Sequence, residues 1–160
     1  MSTATPNSLY QTLLKIPGVG GYLAREERRD IDKAYRETLA NQLHEIKSTL
    51  GRVIRELTES GRLFEVKPLD RLSGKLDKLE SRIRFAVYGY SGFFDLVKID
   101  EKQLDNIHRF DRALAENIEE LNIKLNLLLK EQSNKESLKE NTNTLEAAID
   151  SFDLHFSQRH

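Results

Sequence analysis

Leucine and isoleucine recur along this chain at steps of three and four residues, in four separate runs. The runs cover residues 39–57, 69–83, 104–128 and 138–156. Because an α-helix completes one turn in 3.6 residues, this spacing places the apolar side chains of each run on one face of a helix. Such faces must meet one another to leave water. The pattern predicts an all-α protein, an elongated antiparallel helical bundle with coiled-coil (heptad) packing.

Proline and glycine divide the chain near its N-terminus. Pro17-Gly18 is expected to end a short helix that runs from Leu9 to about Ile16, since a residue before proline disfavours helical backbone angles. We therefore divide the chain into residues 1–21, an N-terminal tail, short helix and glycine-rich turn, and residues 22–160, a helical bundle domain.

The longer helices follow from the same signals. No proline interrupts the stretch from about Leu23 to Ser60, which predicts one long helix that ends at Ser60-Gly61. Residues 63–68, which close with Pro68, are expected to form a short connection. The next helix is expected over about 69–87, and a further one begins after Asp100.

The end of the third run marks one more predicted turn. Extending the apolar steps past Leu128 would place Gln132 and Lys135 in the core, whereas the next apolar residue is Leu138. Residues 130–136 are therefore predicted to form a turn. A continuous helix with a polar overhang is the alternative.

Two features of the pattern raise questions about packing. Asp111 falls on an apolar position, where a buried carboxylate would need an arginine partner unless Phe110 rotates inward and Asp111 stays in water. The long helix also exceeds the length that the helix at about 69–87 can cover. The uncovered part must meet another segment of the chain or a second copy, and a dimer is the preferred interpretation.

Composition limits the functional classes. The chain has no cysteine, which excludes disulfides, thiolate zinc sites and a cysteine nucleophile. A net charge of -1 argues against a general polyanion binder. No apolar run approaches the ~20 residues that span a bilayer, and no signal-peptide pattern opens the chain. The expected compartment is the cytoplasm.

The charges are distributed unevenly. Between Val66 and Tyr88 there are six basic and three acidic residues, whereas from Ile99 onward there are thirteen acidic and eight basic residues. The basic residues include a stripe at helical spacing, formed by Arg71, Lys75, Lys78 and Arg82. This basic stripe is expected to pair with acids of a neighbouring helix. Contact with an anionic ligand, such as lipid or nucleic acid, is the alternative.

An aromatic segment with two glycines interrupts the leucine pattern at residues 88–95. Tyr88, Tyr90, Phe93 and Phe94 lie in it. Such rings bury a large area and are favoured at interfaces. They are expected either to cap the bundle core or to contact a partner or a lipid surface.

Residues 13–24 carry the order apolar-Pro-Gly-apolar-Gly, which locally resembles the helix-hairpin-helix motif of DNA-binding proteins. The resemblance implies backbone amides that face a phosphate. Residues 25–30 depart from the motif because they place three acids where its second helix carries core residues. A plain helix-ending turn is the alternative, as is a membrane or partner anchor formed by Leu9, Tyr10, Leu13, Leu14 and Ile16.

Catalytic and metal-binding patterns are lacking in the sequence. Asp105 and His108 have the spacing of one element of a di-iron bundle, but no second acidic residue stands three positions before a histidine. Exposed polar histidines are expected instead. There is also no phosphate-binding loop or nucleophile elbow. We therefore predict no enzyme, no cofactor and no small-molecule substrate.

The sequence leaves two functional classes. The leading prediction is a helical protein-protein interaction or scaffold module, which engages a protein partner or itself. The alternative is a peripheral membrane-associated protein, which contacts lipid through the N-terminal helix and residues 88–95. Nucleic acid is not an expected partner.

Overall fold

The computed structural model of the chain describes residues 25–85 and 101–158, with side chains over 33–85 and 109–158. Four α-helices take up most of these residues: α1 Arg25–Glu59, α2 Leu63–Arg84, α3 Glu101–Glu131 and α4 Lys135–Ser157. The described residues contain no β-strand, and the predicted all-α class is confirmed. The predicted short helix, the Pro17-Gly18 turn and the boundary at residue 21 lie outside the described residues.

Gly61 ends α1 at the predicted place. Its φ of 76° lies in the left-handed region, which glycine enters without a Cβ clash. The backbone N–H of Gly61 donates to the carbonyl of Thr58 at 3.1 Å, and that of Arg62 donates to the carbonyl of Leu57 at 2.9 Å. These two bonds form a Schellman motif, which satisfies the last carbonyls of the helix.

The start of α2 corrects the sequence interpretation. Residues 63–68, predicted as a connection, are the first turns of the helix, and Pro68 lies inside it. A proline at this position removes one backbone hydrogen bond, the one that would reach the Phe64 carbonyl. Within the added turns Val66 packs against the core, and Leu69, which follows them directly, is fully buried. These apolar contacts offset the loss.

A turn separates α3 from α4, as the break in the leucine pattern predicted. The helix ends at Glu131 and the next begins at Lys135. The side chain of Asn134 caps α4, since its oxygen accepts from the backbone N–H groups of Glu136 and Ser137, each at 3.1 Å. The alternative of one continuous helix is therefore wrong.

The helices pack as two antiparallel hairpins, α1 with α2 and α3 with α4. In the first hairpin, Lys47 contacts Asp77 and Arg84 contacts Asn41, so residue numbers rise along α1 as they fall along α2. In the second hairpin, Asn141 contacts Glu131, and His155 of α4 lies against α3 in the same antiparallel sense.

The two hairpins lie side by side in parallel register. The hydroxyl of Tyr35 in α1 donates to the backbone carbonyl of Asp111 in α3 at 2.6 Å. Towards the other end of these helices, the guanidinium of Arg62 donates to the carbonyl of Gln132 at 2.7 Å. The α1–α2 and α3–α4 turns therefore lie together at one end of the bundle, here called the hairpin end.

The leucine and isoleucine runs form one buried core. Its most deeply buried members include Leu43, Leu50, Leu69, Leu72, Leu76, Ile83, Leu114, Leu121, Leu128, Leu145 and Phe152, all fully inaccessible to solvent. The second hairpin meets the part of α1 that α2 leaves uncovered, as the contact of Tyr35 with α3 illustrates. The apolar seam of α1 from Tyr35 to Leu57 is therefore buried within the chain.

Asp111 lies in the core, as its place on the apolar pattern suggested. Only 3% of its surface is exposed, whereas Phe110 is partly buried at the edge of the core. The sequence alternative, in which Phe110 turns in and Asp111 stays in water, is wrong. The Tyr35 hydrogen bond to its backbone carbonyl joins the two hairpins at this level.

Leucine truncations test the buried register. Leu50→Ala and Leu76→Ala should each lower the free energy of unfolding by ~2–5 kcal/mol, because both side chains are fully buried. Ile123→Ala is the matched control, since 62% of Ile123 is exposed and its truncation should change stability by under ~0.5 kcal/mol. Chemical denaturation followed by circular dichroism measures all three. Equal losses at the buried and exposed positions would contradict this packing.

A pair of glycine substitutions tests the α1–α2 turn. Gly61→Ala should destabilise the protein by about 1–2 kcal/mol, because alanine resists a positive φ. Gly74→Ala should instead stabilise it by roughly 0.5–1 kcal/mol, since Gly74 is helical and nothing lies within 4 Å of an added Cβ. Thermal unfolding compares the two. Changes of the same sign would show that the left-handed turn is absent.

Candidate interaction surfaces

The basic stripe pairs with acids of α4. The guanidinium of Arg71 donates two hydrogen bonds to Glu146, at 3.2 and 3.0 Å. Lys75 reaches both Glu146 and Asp150, each at 2.9 Å. Arg82 contacts Asp153. The predicted attraction between the basic helix and the acidic C-terminal third is present in these contacts.

The relative direction of α2 and α4 explains this pairing. Three contacts join residues that lie 75 positions apart: Arg71 with Glu146, Lys75 with Asp150, and Arg82 with Ser157. The contacts of Lys75 with Glu146 and of Arg82 with Asp153 have an offset of 71 residues, one helical turn less. Residue numbers therefore rise together along α2 and α4, so the two helices run parallel and their charges repeat at the same helical steps. Lys78, the remaining member of the stripe, is exposed.

These contacts change the acid-base behaviour of the pairs. Hydrogen bonds from Arg71 and then Lys75 hold the pKa of Glu146 below its ordinary value. Hydrogen bonds to Asp150 and then Glu146 raise the pKa of Lys75. Both charged forms are favoured in the folded protein. An anionic ligand on the stripe would have to displace these carboxylates.

A second charged cluster, which no pattern in the sequence indicated, joins α1 to α2. Glu80 is 9% exposed. Its carboxylate oxygens lie 3.2 Å from the Lys47 ammonium, 3.2 Å from the Arg84 guanidinium and 3.3 Å from Nδ1 of His44. Burial by itself would raise the pKa of Glu80, but hydrogen bonds from Lys47 and Arg84 outweigh it, and the pKa lies below its ordinary value. This cluster is a structural contact between the helices of the first hairpin.

The histidines divide between two environments. His44 is exposed, as predicted. His155 is partly buried, and its Nδ1 lies 2.7 Å from the side-chain nitrogen of buried Asn117. The side chains of Asp105 and His108 lie outside the described range. Within that range, no three histidine or acidic side chains gather as metal ligands would.

The hairpin end carries an exposed apolar surface. Phe64 is 92% exposed and Leu63 is 60% exposed, although both belong to the first turn of α2. Large apolar side chains in such positions often mark interaction sites. The sequence interpretation missed them because it assigned residues 63–68 to a connection. The available signal was a pair of large apolar residues directly after a polar helix end.

A groove of about 480 Å³ lies beside Phe64, between the N-terminal turns of α2 and α4. Phe64 and Pro68 line it on the α2 side, and Leu138 and Thr142 line it on the α4 side. Because Leu138 and Thr142 are nearly inaccessible as whole residues, the groove reaches down to the core. It is concave and mostly apolar, as binding sites commonly are.

Charged residues surround this groove. Glu65 contacts both Arg62 and Lys135, at 3.6 and 4.0 Å. Glu136 and Lys139 also line the groove and are exposed. The rim therefore carries both signs of charge, unlike a site built for a polyanion.

The aromatic candidates belong to the segment that follows α2 in the chain. Tyr88, Tyr90, Phe93 and Phe94 lie outside the described residues. Phe85, directly before them, is 71% exposed at the end of α2. In the part of the chain that the structure describes, no helix has the length and apolarity needed to cross a bilayer.

Comparisons of this chain with protein-family models, with curated proteins and with solved structures found no match.

The pH dependence of the free energy of unfolding tests the ion pairs between α2 and α4. Glu146→Gln should lower the free energy of unfolding by roughly 0.2–1 kcal/mol at neutral pH, the range of partly exposed ion pairs. Because folding lowers the Glu146 pKa, this contribution is present above the ordinary value of 4.5 and is lost as pH falls through the folded value. The gap between the variant and the wild type should therefore close in acid.

Urea denaturation at a series of pH values measures this gap. Glu140→Gln is the control, because Glu140 is an exposed carboxylate on the same helix. It should change stability little at any pH. A gap for Glu146→Gln that stays constant from neutral to acidic pH would exclude the proposed linkage.

Proposed function

We propose that this protein is a helical interaction module, cytoplasmic and non-catalytic, whose helices pack as antiparallel coiled coils and present the hairpin end to a protein partner. One observation carries this proposal. A phenylalanine that is 92% exposed lines an apolar groove that reaches the buried residue Leu138. An exposed ring contributes little to the folding of its own chain, whereas a buried aromatic ring is a frequent anchor at interfaces.

Rigidity of the hairpin end supports the same function. Both turns have defined backbone conformations, one through Gly61 and the other through the Asn134 cap. Arg62 spans the hairpins through its bond to the Gln132 carbonyl. A surface that is already ordered loses less conformational entropy when a partner binds, so this end is suited to recognition.

The sides of the bundle are less suited to an apolar contact. Beyond the groove, the face shared by α2 and α4 carries the paired basic stripe, whose first member, Arg71, also lines the groove. The exposed part of α3 presents Ile123 and Leu127 among amide side chains and charged side chains of both signs.

Site-specific photo-crosslinking in the native cell tests this function. The photoreactive amino acid p-benzoylphenylalanine replaces Phe64 in one variant and Ser81, an exposed polar position of the same helix, in the other. Irradiation should give protein adducts at residue 64 and few at residue 81, because only the first lies at the proposed contact.

A second substitution ties the adduct to the groove. Asn143 is exposed and lines the groove, so Asn143→Trp should occupy it and abolish the adduct at residue 64. Asn122→Trp on α3 is the matched control and should leave the adduct unchanged. Equal adducts at residues 64 and 81, or adducts that survive the filled groove, would reject the hairpin end as the contact.

A further inference from the structure

The groove beside Phe64 has no cover from the connection between the two hairpins. Residues 86–100 join Phe85 to Glu101, and both of these lie towards the opposite end of the bundle. A path from Phe85 to the hairpin end and back to Glu101 measures roughly 75 Å along the helices, whereas 15 extended residues span only about 50 Å. This connection is too short to fill the groove.

The groove and its rim fit a copy of themselves. A twofold contact sets the same patch of both molecules face to face, so it needs a patch that holds both a projection and a matching depression. The exposed ring of Phe64 is the projection, and the groove between Pro68 and Leu138 is the depression.

The charged residues on the rim of the groove also suit a twofold contact. Glu136 and Lys139 form no ion pair with another described residue, and both line the groove. In a twofold contact an acid and a base on the same rim can each face the opposite charge of the second copy. A rim of a single sign would repel its copy.

We propose that two copies of this chain associate through their hairpin ends, with the Phe64 ring of each copy inserted into the groove of the other and Glu136 of each facing Lys139 of the other. This inference rests on the proposed function and names its partner. The contact differs from the dimer expected from the uncovered seam of α1, since that seam is buried within the chain. Two phenylalanine rings and their rims give an interface below about 1,200 Å², the range of weak and transient complexes.

Sedimentation equilibrium of the purified full chain tests the association. A monomer–dimer equilibrium with a dissociation constant of roughly 1–100 µM is expected for an interface of this size. Phe64→Ser should weaken it by at least about tenfold, as the loss of an anchor residue does. Ile123→Ser is the matched control, because it removes an exposed apolar side chain elsewhere and should leave the constant unchanged. Circular dichroism verifies that each variant is folded.

A charge exchange tests the orientation. Lys139→Glu should weaken the dimer because two acids then meet two acids across the twofold axis, and the added change Glu136→Lys should restore it. Failure of the double variant to recover affinity would overturn the assigned pairing. A wild-type chain that remains monomeric at about 500 µM, well above the expected constant, would overturn the dimer itself.

The photoadduct at residue 64 separates this inference from the proposed function. In the purified protein, an adduct of twice the chain mass that joins residue 64 to the groove of a second copy supports the inference. An adduct within one chain, to residues 1–24, would overturn it and identify that segment as the occupant. A monomeric protein with a groove-dependent adduct to a different protein in cells would leave the interaction function intact and reject self-association. A monomer without any such adduct would reject both.

Discussion

Burial of one apolar stripe per helix is the constraint on which this bundle depends. A stripe of leucines on a single helix cannot leave water, and a hairpin of two helices shields only part of it. In this protein the remaining apolar surface of each hairpin is covered by the other hairpin, and residues from all four helices become fully inaccessible. The two halves of the chain therefore depend on each other for their core.

The charged side chains around this core contribute more to the alignment of the helices than to the stability of the fold. The pairs of Arg71 and Lys75 with α4 are partly exposed, and such pairs contribute little free energy each. Their repeat along two parallel helices nevertheless places basic positions of α2 opposite acidic positions of α4. Such contacts favour the parallel arrangement of α2 and α4 that the apolar stripes stabilise.

The same organisation leaves one end of the bundle available for contact. The side chains of Leu63 and Phe64 come before the first buried leucine of α2, where no neighbouring helix covers them. The helices on both sides of the groove are fixed by the core below it and by the turns beside it. The proposed interaction therefore uses a surface whose shape is a direct result of how the hairpins pack.

The sequence by itself determined the all-α class, the end of α1 at Gly61 and the turn before α4, because helical periodicity and local backbone preferences are encoded within a few residues. It also indicated that the basic stripe would meet acids of another helix. It did not reveal that α2 begins at Leu63, before Pro68. The burial of Leu69 beside other helices outweighs the local preference against a proline inside a helix. Likewise, the Glu80 cluster, the contact of Asn117 with His155 and the groove beside Phe64 join residues distant in the chain. Only the packing of helices within and between the hairpins brings them together, because no local pattern specifies which helix faces meet.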